Sequence, residues 1–92
     1  MLGQRINQLR QAHSWNQVEL SKRLNISKQT VSNWENENIQ PSIEMLIRLA
    51  RLFNVSTDYL LGLDERQQLA VDGLPLDLVA HLSLIVQDYR NK

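Results

Sequence analysis

Apolar residues recur every three or four positions along the first 62 residues, in short runs separated by polar breaks. This spacing places the apolar residues of each run on one face of an amphipathic helix. A residue that can cap a helix stands directly before four of the runs: Asn16, Ser27, Ser42 and Ser56. The pattern predicts a compact all-α domain of five short helices, over about residues 2–13, 17–24, 28–36, 43–53 and 57–61.

The second predicted helix has clear signals at both ends. Asn16 precedes its first residue, and Glu19 at the third helical position completes a predicted capping box. Asn25 tolerates the left-handed backbone conformation that ends many helices. Only residues 25–27 separate this helix from the next, so the two are predicted to be joined by a three-residue turn.

The third predicted helix has one apolar and one polar face. Val31 and Trp34 share the apolar face at an i, i+3 spacing. The side chains predicted to contact DNA bases are Lys28, Gln29, Ser32 and Asn33. Gln and Asn can bind the major-groove edge of adenine through two hydrogen bonds, and Lys suits guanine. Two helices joined by a short turn, the second with such a face, are typical of DNA-binding proteins, although an ordinary solvated face is the alternative interpretation.

These features resemble the Xre family of lambda-repressor-like helix-turn-helix regulators. The likeness covers residues 2–62, including Asn16–Leu20 in the second helix and Ser27–Asn36 in the recognition helix. The resemblance implies a sequence-specific DNA-binding regulator with an ion pair between Arg10 and Glu35. The residues expected to contact DNA phosphates are Gln17, Asn16, Ser27, Thr30, Asn36 and Arg10.

The loop after the third helix departs from the family pattern. Glu37, Asn38 and Ile39 stand where the family usually has a glycine followed by basic residues. Without the glycine, we expect Asn36 or Asn38 to take the left-handed turn conformation. Without the basic residues, this loop is a poorer phosphate ligand than the family pattern implies.

Residues 63–92 form a second segment, which we predict to mediate dimerisation. Leu69–Val71 is a short apolar run suited to an extended conformation, and Pro75 suits the first position of a helix over residues 75–90. Apolar residues recur along this helix at Leu78, Val79, Leu82, Ile85, Val86 and Tyr89. The first 62 residues do not need this stripe for their own core, which favours self-association; folding back onto the same chain is the alternative.

The charge balance is unusual for a DNA-binding protein. The net charge is zero and the isoelectric point is about 6.7, whereas nucleic-acid-binding domains are typically basic. Residues 1–62 carry +2 and residues 63–92 carry −2. We therefore expect weak non-specific DNA affinity and a strong dependence on specific contacts and dimerisation. The absence of cysteine, of a signal-like N-terminus and of a membrane-length apolar run predicts a cytoplasmic protein without membrane association.

An enzyme is disfavoured. His13 and His81 are the only histidines, and no catalytic set, metal-ligand spacing or glycine-rich phosphate loop is present, so we expect no cofactor and no metal. The main alternative is an antitoxin-like or adaptor module that uses the same scaffold to bind a protein. The sequence favours a homodimeric repressor that binds a palindromic operator in double-stranded DNA, with half-sites about one helical turn apart. The operator and any regulatory protein or peptide partner are left open.

Overall fold

The computed structural model describes residues 1–92 and contains six α-helices and no β-strand. Five helices form the domain predicted from the first 62 residues. They are α1 (Leu2–Ala12), α2 (Gln17–Leu24), α3 (Lys28–Glu35), α4 (Ile43–Phe53) and α5 (Thr57–Leu61). The sixth, α6 (Leu76–Arg90), follows a segment without regular secondary structure. The predicted all-α fold is therefore confirmed. None of the six helices has the length and apolarity needed to cross a bilayer.

The helix starts follow the capping residues. The side chains of Asn16, Ser27, Ser42 and Ser56 each accept a hydrogen bond from the backbone N–H three residues later, at 2.8, 3.1, 3.2 and 3.0 Å. The predicted capping box at α2 is wrong in its second half, because the Glu19 carboxylate does not return to Asn16. It pairs instead with Arg23 at 3.1 Å, one helical turn further on. Glu19 therefore forms an exposed i, i+4 ion pair and does not contribute to the cap of α2.

One hydrophobic core lies among α1 to α5. Its fully buried apolar residues are Ile6, Leu20, Leu24, Val31, Leu49 and Leu60. Trp34 and Phe53, with 4 % of each residue exposed, complete it together with Leu2 and Ala50. α3 packs on α2 and α1, and α5 packs on α1 and α4. The core therefore fixes α3 from one side and leaves its other side to solvent.

The turn after α3 differs from the prediction. Asn36 has φ −87°, and Glu37 takes the left-handed conformation with φ 61°. The prediction that Asn36 or Asn38 would adopt it is wrong because the Glu37 side chain has a partner elsewhere in the fold. Its carboxylate accepts the backbone N–H of Gly3 at 2.8 Å, at the positive end of α1. This contact offsets the conformational cost of a non-glycine residue at positive φ.

The C-terminal segment also differs in detail. α6 begins at Leu76, and Pro75 is the residue before it, because the Pro75 ψ of 146° is extended rather than helical. Leu69–Val71 pairs with no strand of this chain. Instead, the Ala70 carbonyl accepts a hydrogen bond from the Asn54 side chain at 3.1 Å. No residue of α6 is buried.

Candidate nucleic-acid interface

The exposed face of α3 carries the polar residues predicted to contact DNA. Val31 and Trp34 hold the opposite face in the core. Lys28 and Gln29 are exposed, and Ser32 and Asn33 are partly exposed. The helix therefore presents amides, a hydroxyl and an ammonium group along one side.

Neighbouring side chains on this face are already hydrogen-bonded to one another. The Gln29 Nε2 donates to Asn33 Oδ1 at 3.1 Å. One turn later, Asn36 Nδ2 donates to Ser32 Oγ at 3.3 Å. The first pair still offers the Gln29 Oε1 as an acceptor and the Asn33 Nδ2 as a donor. In the major groove, adenine presents an acceptor, N7, and a donor, its N6 amino group, so it can pair with an adjacent donor and acceptor.

The turn joins the C-terminus of α2 to the N-terminus of α3, and each of these two helices begins after a capping residue. Asn16 and Ser27 are exposed, but the oxygen of each already caps its own helix. The Ser27 hydroxyl also lies 2.8 Å from that of Thr30. The first N–H groups of both helices have no intrahelical acceptor and point outward along the helix axis. Each end can therefore receive an anion such as a DNA phosphate.

Arg10 and Glu35 form a bidentate ion pair between α1 and α3. Arg10 Nε lies 2.7 Å from Glu35 Oε2, and Arg10 Nη2 lies 3.0 Å from Glu35 Oε1. The third nitrogen, Nη1, donates to the Trp15 carbonyl at 2.8 Å. Only 12 % of the Arg10 side chain and 4 % of the Glu35 side chain are exposed. The pair therefore links α1, the segment before α2, and the end of α3.

Two amides complete the shell around the Glu35 carboxylate. Asn7 Nδ2 donates to Oε1 at 2.8 Å, and Gln17 Nε2 donates to the same oxygen at 3.2 Å. Gln17, which was predicted to contact a phosphate, is partly exposed. Its hydrogen bond to Glu35 of α3 already orients its side chain. Sequence reasoning missed Asn7 altogether. Its position on the same side of α1 as Arg10, at i, i+3, was the available signal.

The surroundings of the ion pair shift both ionisation equilibria. Burial alone would raise the pKa of Glu35, but the hydrogen bonds from Arg10, Asn7 and Gln17 outweigh it and hold that pKa below its ordinary value. The hydrogen bonds to Glu35 raise the pKa of Arg10 despite its desolvation. Both residues are therefore charged across the neutral pH range.

Sequence reasoning also missed the role of a second arginine on α1. Arg5 lies over the ring of Tyr59, 3.9 Å from its centroid, and its Nη2 contacts Glu65 Oε2 at 3.0 Å. Gln67 Nε2 donates to the Tyr59 hydroxyl at 3.3 Å. These contacts fasten the segment after α5 to the domain. The chain holds no group of three or more His, Cys, Asp or Glu side chains suited to a metal ion.

The predicted dimerisation stripe divides into two parts. Val79, Leu82 and Val86 line a shallow groove together with Leu69 and Val71. The other three residues do not line the groove and are exposed, Leu78 at 42 %, Ile85 at 64 % and Tyr89 at 76 %, and Val86 in the groove is itself 44 % exposed. Folding back onto the chain therefore covers only part of the stripe.

The helix-turn-helix family model matches residues 6–60. Among curated proteins, the chain is 44 % identical over 64 residues to the transcriptional regulator ImmR of Bacillus subtilis (strain 168), covering 70 % of this chain and 50 % of that protein. It is 40 % identical over 65 residues to the uncharacterized regulator YobD of the same organism, covering 71 % and 58 %. The chain thus spans about half the length of the curated relatives it matches.

A solved structure extends the likeness into the C-terminal segment. The crystal structure of a transcriptional regulator from Listeria innocua matches 94 % of this chain and 77 % of its own, with a TM-score of 0.64 and 29 % identity. A match of that extent continues beyond residue 62 into the C-terminal segment. With the family model spanning the five-helix core and the relatives named as regulators, the chain belongs to the Xre-type, lambda-repressor-like helix-turn-helix family of transcriptional regulators.

Proposed function

We propose that this chain is a homodimeric repressor that binds a palindromic operator in double-stranded DNA. The observation that carries the proposal is the polar outer face of α3, held rigidly by the burial of Val31 and Trp34 on its inner side. A helix presented in this way fits the major groove, with the preceding helix lying across the phosphate backbone.

The residues proposed to contact DNA divide into two roles. The bases are read by Lys28, Gln29, Ser32 and Asn33. The phosphates are held by Gln17, Asn16, Ser27, Thr30, Asn36 and Arg10. Among the phosphate ligands Arg10 acts mainly by positioning, since its guanidinium already serves Glu35 and Trp15 and little of it is exposed.

The proposed dimer explains how a protein of zero net charge binds DNA tightly enough to regulate. A module with +2 over residues 1–62 attracts the phosphate backbone weakly. Two linked modules bind two half-sites as one unit, so the second contact adds affinity without added charge. The apolar stripe on α6 is the surface that we assign to this contact: Leu78, Ile85, Val86 and Tyr89 are exposed, and Val79 and Leu82 are partly buried.

Selection of bound sequences from a random double-stranded DNA pool tests the proposal. We expect enrichment of an inverted repeat whose half-sites lie about one helical turn apart. The same selection with the Gln29→Ala, Asn33→Ala double variant serves as the matched control and should lose the enriched half-site. A pool without any enriched motif would reject sequence-specific binding.

A second candidate function is that of an antitoxin-like or adaptor protein. An exposed apolar patch on α4 and the loop before it favours this candidate, with Ile39 at 56 %, Ile43 at 78 % and Ile47 at 39 % exposure. Titration of genomic DNA fragments at several salt concentrations separates the two. A DNA-binding regulator gives a salt-dependent shift, whereas an adaptor gives none.

A further inference from the structure

Four apolar residues of α6 have the spacing of a coiled-coil seam. Leu78, Leu82, Ile85 and Tyr89 follow one another at intervals of four, three and four residues. These are the core intervals of a heptad pattern. No residue of α6 is buried within the chain, and Ile85 and Tyr89 are 64 % and 76 % exposed. The seam therefore lacks the opposing helix that such a pattern requires.

We propose that a second copy of this chain supplies the opposing helix, and that the two α6 helices run antiparallel. The inference rests on the proposed homodimer and specifies its geometry. The intervals read the same in both directions, so an antiparallel pair aligns all four positions. Leu78 then lies opposite the partner's Tyr89, and Leu82 lies opposite the partner's Ile85. The two-fold axis passes between Leu82 and Ile85, consistent with isologous packing.

The residues on the two sides of the seam favour the antiparallel orientation. On a helix of 3.6 residues per turn, Val79 and Val86 lie along one border, and His81 and Asp88 lie along the other. A two-fold axis perpendicular to two antiparallel helices brings like borders together. Val79 then meets the partner's Val86, and His81 meets the partner's Asp88. A parallel pair would place each polar border against an apolar one, which desolvates a carboxylate without a partner.

The groove beside α6 enlarges the same interface. Val79, Leu82 and Val86 line it together with Leu69 and Val71. In the antiparallel pair, the valine borders of both helices meet at this groove. The apolar seam thus continues into the Leu69–Val71 segment of each copy, giving a larger interface than two 15-residue helices alone.

Cysteine cross-linking of the full chain tests the orientation without DNA. The chain has no cysteine, so each introduced thiol is unique. Leu78→Cys and Tyr89→Cys proteins are prepared separately, mixed and oxidised gently, and the products are identified by mass spectrometry. We expect the mixed disulfide between the two variants to dominate, with little dimer of either variant alone. Ala80→Cys, on the side of α6 away from the seam, is the matched control and should not cross-link.

Three results would overturn the proposal. Efficient disulfide formation by Leu78→Cys alone indicates a parallel pair, and the homodimer survives. A dimer in sedimentation equilibrium that yields no α6 disulfide places the interface elsewhere, for example on the α4–α5 face. A monomer at every concentration rejects the homodimer itself.

Charged substitutions at the polar border give an independent readout. His81→Glu places a carboxylate next to the partner's Asp88, twice per dimer. We expect the dimer dissociation constant to rise roughly threefold to tenfold, because two exposed pairs change together. Adding Asp88→Lys to His81→Glu should restore the wild-type constant. Failure of the second substitution to rescue the first would contradict the antiparallel register.

Discussion

The backbone N–H of Gly3 donates a hydrogen bond to the Glu37 carboxylate at 2.8 Å, which joins the first turn of α1 to the loop after α3. The two segments approach so closely that a Cβ on Gly3 would collide with the Trp34 carbonyl oxygen. The position of α3 therefore depends on a residue without a side chain, close to the first residue of the sequence.

Gly3→Ala should destabilise the domain by about 1–3 kcal/mol, the usual cost of forcing an extra group into a packed site. Chemical denaturation followed by circular dichroism measures the loss. Gln4→Ala, at the exposed neighbouring position, is the control and should change the stability little. Equal stabilities for the two variants would mean that α1 can move away from α3 at little cost.

Arg10 and Glu35 should behave as a strongly coupled pair. Arg10→Met leaves a buried carboxylate without its cation, and Glu35→Leu leaves a buried guanidinium, so each should cost about 3 kcal/mol or more. The double variant should cost less than the sum of the two. A double-mutant cycle on the free energy of unfolding measures the difference.

The exposed pair of Glu19 and Arg23 provides the matched control for this cycle. Its side chains are 42 % and 43 % exposed, and its coupling should be below about 0.5 kcal/mol. A coupling for Arg10 and Glu35 as small as that of the control would mean that the buried pair adds nothing specific.

Glu35 should also make stability depend on pH in acid. Its pKa is lowered on folding, so the stabilisation that it contributes is complete above the ordinary glutamate value of about 4.3. Stability should fall as the pH drops from there through the lowered pKa, because the unfolded chain binds the proton more readily. Glu35→Gln, measured by unfolding at several pH values, should flatten this part of the curve. An unchanged slope would assign the acid sensitivity to other carboxylates.

Gln29→Ala and Asn33→Ala should each cost about 1–3 kcal/mol on the best operator and relax its sequence at one or two base pairs. Because Gln29 donates to Asn33, the two losses should not be additive. Fluorescence anisotropy on operators with single base changes measures both effects. Retention of the wild-type preferences by both variants would mean that α3 does not read the bases.

Gln17→Ala is the companion variant for phosphate contact. It should weaken binding to all sequences to a similar extent, since phosphates carry no sequence information. A loss confined to one base pair would instead make Gln17 a base reader.

A chain that ends at Leu63 should stay folded, because α6 adds no buried residue to the core. It should be monomeric in sedimentation equilibrium and lose most of its operator affinity, as two half-sites no longer bind as one unit. Leu82→Asp with Ile85→Asp, in the full chain, should have the same effect. A dimer that persists after either change would place the interface on the α4–α5 face.

Local signals explain why most of the fold could be predicted. The starts of α2 to α5 depend on capping side chains three residues away, so a short window of sequence contains the cause. The ends of α2 and α4 are similar, since Asn25 and Asn54 both adopt the left-handed conformation with φ 56°. The apolar periodicity then identified the buried faces.

The wrong prediction for the turn after α3 and the missed contact of Asn7 both arise where a distant residue determines the structure. Glu37 occupies the left-handed turn because its carboxylate reaches Gly3, 34 residues away, and no local preference indicates this. Likewise, Asn7 and Gln17 come together only around Glu35 in the folded domain. The contacts proposed for DNA and for the second copy remain predictions, since they depend on molecules outside this chain.

The contacts that hold the segment after α5 against the domain affect which half-site separations the proposed dimer can bind. Arg5 holds Glu65, Tyr59 accepts from Gln67, and Asn54 holds Ala70. A freely jointed tether would let two recognition helices reach half-sites over a broad range of separations. A tether held at several points fixes the distance between the two-fold axis and α3. In the proposed dimer, moving the half-sites apart by a few base pairs should therefore abolish joint binding rather than weaken it gradually, so that geometry adds selectivity beyond the bases that α3 touches.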